Sequence, residues 1–218
     1  MRIQPETGTR ELADSGKKAL GRSSRICEIL CRIGTMMRKL SHEEIGRKRI
    51  SLEESKKIRR HPIVVIADNI RSIYNVGSIF RTCDAARIEK LYLTGYTPYP
   101  PRPEIEKVAL GSTQSVPWEH YKNPVEVVEK LRKDGFKIAC LELTDQSRKY
   151  YEVDKLDFPL CLILGNELTG VSNELISVSD FALEIPQYGY KHSMNVSVAC
   201  GIALFELLKH CDWHRSED

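Results

Sequence analysis

Three stretches of this 218-residue chain carry polar side chains of types suited to gripping a ligand rather than filling a core. The first reads Asp68-Asn69-Ile70-Arg71-Ser72-Ile73-Tyr74-Asn75-Val76-Gly77-Ser78-Ile79-Phe80-Arg81. Asn75 falls where a helix would begin, Gly77 allows close approach, and Arg81 follows nearly two turns later. The reach and fixed charge of Arg81 suit a phosphate or ribose oxygen. Taken alone, the pair also reads as a helix cap and a surface ion-pair partner. The second stretch is Leu162-Ile163-Leu164-Gly165-Asn166-Glu167-Leu168-Thr169-Gly170. Here an apolar run ends in Gly165, which permits close backbone contact with a ligand, and Glu167, which can bind hydroxyls or orient Arg81. An ordinary turn is the alternative, since Gly-Asn is turn chemistry. In the third, residues 185–199, an extended run stops at Pro186 and a loop containing Gly189 follows. Ser193 and Asn195 then open an apolar helix. Polar groups at a helix mouth after a strand are placed to face a ligand.

These residues need elements to position them, and the apolar pattern supplies candidates. Residues 63–67, 136–143 and 160–164 are continuous apolar runs of the kind found in strands covered on both faces. Residues 90–94 and 181–185 read as further strands. Helices are predicted over 75–86, from Asn123-Pro124 to Gly135, and from 195 to about 210. Strands alternating with helices predict an α/β layer structure with a mostly parallel sheet. In such sheets, ligands gather at the carboxyl ends of strands, where all three polar stretches fall. Residues 143–159 are polar and predict a surface loop.

The first 60 residues differ. They hold 16 Lys/Arg against 8 Asp/Glu, whereas the remainder holds 17 against 22. This excess fits a phosphate-binding arm or a solubilising tail. Residues 1–22 are polar and predict disorder. Helical spacing recurs over 24–40, and Ser41-His42-Glu43-Glu44 and Ser51-Leu52-Glu53-Glu54 both match the capping-box pattern. Two or three short helices are therefore expected over 24–60, too few for a separate globular domain.

Other chemistries find little support. There is no glycine-rich dinucleotide loop and no Walker lysine motif. The seven cysteines mostly sit in apolar runs (Cys83, Cys140, Cys161, Cys200) and read as small hydrophobes. Cys27 and Cys31, and the cluster His210, Cys211 and His214, lack a partner pair in register for zinc, so no metal is expected. No apolar run reaches the length of a membrane span and no signal-peptide stretch opens the chain, so the expected location is cytoplasmic.

Together the three stretches resemble the SpoU (TrmH-like) family of RNA ribose 2′-O-methyltransferases, within the SPOUT superfamily. Asn75, Gly77 and Arg81 match its Asn-x-Gly-x-x-x-Arg motif; Gly165, Asn166 and Glu167 match its second; Ile185, Pro186, Ser193, Asn195 and the residues after them match its third. The likeness covers about residues 61–210. Gln187 and Met194 differ from residues common in the family without removing a catalytic group.

The resemblance implies a parallel-sheet domain over 61–218 with a C-terminal trefoil knot, preceded by a basic helical extension. It implies S-adenosylmethionine as cofactor, RNA (tRNA or rRNA, tRNA favoured) as substrate, and a homodimer with the active site close to the subunit boundary. The implied catalytic group is Arg81, Asn75, Glu167, Asn195 and Ser193. The implied cofactor contacts are Leu141, Glu142, Leu143, Gly165, Ile185, Met194 and Ser197. Arg47, Lys48, Arg49, Lys56, Lys57, Arg59 and Arg60 are expected to grip RNA phosphates. Two alternatives remain at this point: a SPOUT enzyme that methylates a base, and an inactive RNA-binding relative.

Overall fold

A computed structural model of the chain describes residues 37–47 and 49–211. It divides into two units, residues 1–49 and 50–218. In the first unit, residues 37–41 precede helix α1 (His42–Arg47). The expected capping box is present: the Glu44 amide donates to Ser41 Oγ and the Ser41 amide to the Glu44 carboxylate. Arg38 pairs with the same carboxylate at 2.5 Å. The helical pattern at 24–36, Lys48, Cys27, Cys31 and His214 lie outside the described residues.

The second unit begins with α2 (Leu52–Lys57), whose capping box joins Ser51 and Glu54. A seven-stranded, wholly parallel sheet follows, in the order β3-β2-β1-β6-β4-β7-β5. Its strands are β1 (His61–Asp68), β2 (Ile88–Thr94), β3 (Trp118–Tyr121), β4 (Lys137–Leu141), β5 (Arg148–Lys149), β6 (Leu160–Leu164) and β7 (Phe181–Glu184). The helices that accompany them are α3 (Ile73–Ala85), α4 (Pro103–Ala109), α5 (Ser112–Ser115), α6 (Pro124–Lys133), α7 (Asn173–Ser177) and, after β7, α8 (Val196–His210).

β1 is central, pairing with β2 on one side and β6 on the other. Its continuous apolar run is explained by burial on both faces. Ile63, Val65 and Ala67 join one core with Ile79, Phe80 and Leu204, whereas Val64 and Ile66 join the other with Val127, Leu131 and Ile163. Side chains that alternate across a pleat, each covered by helices, leave no place for a polar residue before the strand ends.

The polar stretch 143–159 is not all loop: Arg148–Lys149 forms an edge strand on β7, and Lys155–Asp157 a short 3₁₀ turn. Arg60, expected to face RNA, is anchored in the fold. Its guanidinium donates to the carbonyls of Ser115 (2.5 Å), Ile88 (3.2 Å) and Ser55 (3.3 Å). Those bonds fasten the chain entering β1 to β2 and α5.

Candidate active site

β6, β4 and β7 are neighbours, and their carboxyl ends open into one cavity of about 620 Å³. Three loops wall it: 141–143 after β4, 164–170 after β6, and 183–194 running from β7 towards α8. Of the expected cofactor contacts, Leu141, Glu142, Leu143, Gly165, Ile185 and Met194 line this cavity. Ser197 does not; its hydroxyl donates to Asn195 Oδ1 at 2.6 Å.

Beside the cavity, residues from all three motifs meet. The Glu167 carboxylate accepts from the Arg71 amide (2.8 Å), the Ser72 amide (3.0 Å) and Asn75 Nδ2 (2.8 Å). Asn75 Oδ1 accepts in turn from Asn195 Nδ2 at 3.0 Å. Residues 92 and 120 positions apart in the chain thus form one hydrogen-bonded cluster. The local physics is consistent. The amides at the start of α3 have no intrahelical acceptor, and a carboxylate there also meets the favourable end of the helix dipole. Asn195 caps α8, its Oδ1 accepting from the Ser197 and Val198 amides. Burial alone would push the Glu167 carboxyl up; the Arg71, Ser72 and Asn75 donors outweigh it and hold the group below its ordinary value.

The loop carrying Glu167 is braced by a residue expected only as part of a motif. Asn166 is buried. Its Nδ2 donates to the Asn69 carbonyl (2.8 Å) and Tyr96 Oη (2.5 Å), and its Oδ1 accepts from the amides of Leu168 and Thr169. Asn69 adopts a positive φ of 52°, which asparagine tolerates, and its Oδ1 accepts from the Tyr96 amide. Glu142 ties the same loop to β4: its carboxylate accepts from the Val171 amide and from that of Leu143.

The glycines have structural reasons that differ from those expected. A Cβ on Gly165 would lie 2.3 Å from the Gly170 carbonyl carbon and the Val171 nitrogen, so the close approach is by its own loop. A Cβ on Gly77 would lie 2.8 Å from Val108 Cβ, because α4 crosses α3 there. Neither glycine needs a ligand to explain it.

Arg81 stands apart from the cavity. It is exposed on α3 and lines a separate shallow depression with Ser78, Thr82, Ala85, Val108, Gly201 and Phe205. Six residues turn a helix by about 600°, which leaves Arg81 about 120° around from Asn75. Within one chain, then, Asn75, Glu167 and Asn195 are brought together, Ser193 lies on the cavity wall, and Arg81 is not joined to them. Among the described residues no cluster of three or more His, Cys, Asp or Glu side chains could hold a metal ion. No helix among them is long and apolar enough to cross a membrane.

The chain has relatives among known proteins. A model of the SpoU rRNA Methylase family matches residues 62–205. The chain belongs to the SpoU methylase family. Among its SpoU relatives, the tRNA (guanosine(18)-2′-O)-methyltransferase of Aquifex aeolicus is 38% identical over 156 residues, covering 71% of this chain and 72% of that protein. The crystal structure of the A. aeolicus TrmH/SpoU tRNA modifying enzyme matches with a TM-score of 0.65 at 34% identity, over 76% of this chain and 84% of the other. The SpoU methyltransferase AviRb from Streptomyces viridochromogenes, in complex with AdoMet, matches with a TM-score of 0.63 at 26% identity, over 72% and 63%.

Residues 187–192 were not singled out from sequence as cavity wall, yet Gln187, Gly189, Tyr190, Lys191 and His192 all line it. The available clue was their position between two motif halves, in a loop with two tyrosines, a lysine and a histidine.

Proposed function

We propose that this chain transfers a methyl group from S-adenosylmethionine to a ribose 2′-hydroxyl of RNA, with tRNA as the favoured class. The observation that carries the reading is the joining of Asn75, Glu167 and Asn195, one from each motif, beside a single cavity. The cavity fits the cofactor in size and chemistry. Its volume lies within the usual range for small-molecule sites. Leu141, Leu164, Leu183, Ile185 and Met194 offer apolar wall for an adenosine. Glu142 and Glu167 are satisfied by amide donors rather than by cations, which leaves negative charge at the wall to favour a sulfonium.

The cofactor supplies an electrophilic methyl group on sulfur. The protein's tasks are alignment and handling the hydroxyl proton. Glu167, Asn75 and Asn195 fix the start of α3 and of α8 against the cavity loops, so they act as positioning residues. Ser193, on the wall, offers a hydroxyl to the substrate. Arg81 offers hydrogen-bond donors and no acceptor lone pair. Its role is therefore to stabilise the developing alkoxide, or to pass the proton on through an RNA phosphate, rather than to act as a free base.

That role requires Arg81 to reach a cavity from which its own chain directs it away. A homodimer meets the requirement, with Arg81 of one copy completing the cavity of the other. Support comes from the surface around it. Val198 and Phe205, seven residues apart on α8, are 52% and 49% exposed, and Phe205 lines the Arg81 depression together with Gly201. An apolar stripe of this kind suits a symmetric contact. The reading includes the C-terminal knot, for which the supporting feature is the late insertion of β6 between β1 and β4. Arg47, Lys48, Arg49, Lys56, Lys57 and Arg59 remain the proposed phosphate-gripping set of the N-terminal extension.

Incubation with labelled S-adenosylmethionine and total RNA, followed by alkaline digestion, tests the proposal. Labelled alkali-resistant dinucleotides are expected, since only a blocked 2′ oxygen prevents cleavage. Label confined to bases, or cofactor binding without transfer to any RNA, overturns it.

A further inference from the structure

From the strap formed by residues 187–192 we infer a stacking platform for an RNA base adjacent to the methylated nucleotide. The inference rests on the methyltransferase reading and extends it to how the substrate is held.

Tyr188 is 95% exposed and Tyr190 97% exposed, whereas Tyr92 of β2 is 2% exposed. Two phenol rings left almost wholly in water gain nothing from folding. Each can bury a large area when covered by a second flat surface. The strap stands clear of the body. A Cβ on Gly189, between the two rings, would meet nothing within 4 Å. Among the described residues, no main-chain hydrogen bond joins 186–194 to the rest of the fold. Its side-chain anchoring is local, with Gln187 Nε2 donating to the Ile185 carbonyl at 2.8 Å. Its ends are fixed, by β7 on one side and by the Asn195 cap of α8 on the other.

The chemistry next to the rings points to nucleic acid. Lys191 Nζ lies 5.5 Å from the centre of the Tyr190 ring, so a cation sits beside a π-face. Tyr190, Lys191 and His192 line the cavity, so the strap edges the path by which a methyl acceptor must enter. Tyr188 is not part of the cavity wall, which leaves its ring available to something outside it. A base splayed from a single strand offers a π-face to such a ring, and Lys191 lies within the same strap to meet its phosphate. The cofactor's adenine has apolar wall of its own at Leu141, Leu164 and Leu183.

The test uses the full-length protein and a short single-stranded RNA carrying one 2-aminopurine, a base whose fluorescence falls when it stacks. Wild type should quench it. Tyr188→Ala should weaken binding about tenfold and abolish most of the quenching, since one ring–base contact is worth about that factor. Tyr188→Phe keeps the ring and should bind within about twofold of wild type. Lys191→Ala should lower the salt dependence of binding while leaving the quench in place. S-adenosylmethionine affinity of the Tyr188 variants, measured by calorimetry, should be unchanged. Unaltered RNA affinity and quenching in Tyr188→Ala overturns the platform. So does a Tyr188→Ala chain whose sedimentation shows altered self-association, because the rings would then belong to a protein contact. Failure of the wild type to bind S-adenosylmethionine would instead remove the methyltransferase reading itself.

Discussion

The two ends of α3 behave differently. At its N-terminal end, Asn75 and the Arg71 and Ser72 amides are fastened to Glu167 and, through Asn75, to Asn195. Less than two turns later, Arg81 faces a different depression and, among the described residues, its side chain makes no hydrogen bond or ion pair. One motif therefore contains a part completed inside the chain and a part left open. The proposed dimer would supply the open part from a second copy.

The strongest way to break this comparison is Arg81→Ala. Methyl transfer should fall about a hundred- to a thousandfold, the usual cost of losing a donor aimed at developing charge. Cofactor affinity, read by calorimetry, should hold. If the proposed dimer holds, mixing Arg81→Ala with Glu167→Ala chains should restore activity that neither has alone, because the mixed dimer would contain one intact pairing. No restoration would return Arg81 to a role within its own chain.

A smaller effect is expected on the completed side. Gly165→Ala forces a Cβ against the main chain of Gly170 and Val171, so the 164–170 loop must move. Overpacking of this kind costs about 1–3 kcal/mol, and the loss should appear both in the urea midpoint and in cofactor affinity. Gly189→Ala, with open space around it, should change neither.

The smallest effect is a pH dependence. The folded chain holds the Glu167 carboxyl below its ordinary value of 4.5. Its ionisation therefore stabilises the fold above that value, and the gain is lost as pH falls through the lowered value. Urea midpoints measured between about pH 6 and pH 3 should decline more steeply for wild type than for Glu167→Gln. Equal slopes would mean that the amide bonds to Glu167 do not persist in solution.

How far the sequence could be read follows from the same contrast. β1 and β6 were legible because a strand covered on both faces tolerates no polar interruption. α6 and α8 were legible because Asn123 and Asn195 cap them; α3 was legible as a helix, but its cap is Ser72 and its first residue Ile73, not the expected Asn75. β3 and β5 escaped notice because edge strands of four and two residues, only half-buried, carry no period. The short helices α4, α5 and α7 were missed for want of length. In the site, residue types showed which groups would be polar and near strand ends, and the resemblance joined them. The reasons for Gly77 and Gly165 were not legible, since a close approach by the chain's own backbone and one by a ligand demand the same residue. The bracing by Asn166 was hidden too, because its partners Asn69 and Tyr96 lie 97 and 70 positions away.

Asn195 has a consequence for how the protein behaves as a thermodynamic unit. The same side chain starts the last helix and holds the first motif, so any opening that peels that helix away also releases Asn75 from one of its partners. Occupancy of the pocket and docking of α8 thus draw on one reservoir of free energy. A substitution far down α8 that loosens its packing would weaken methyl-donor retention without touching a single wall residue.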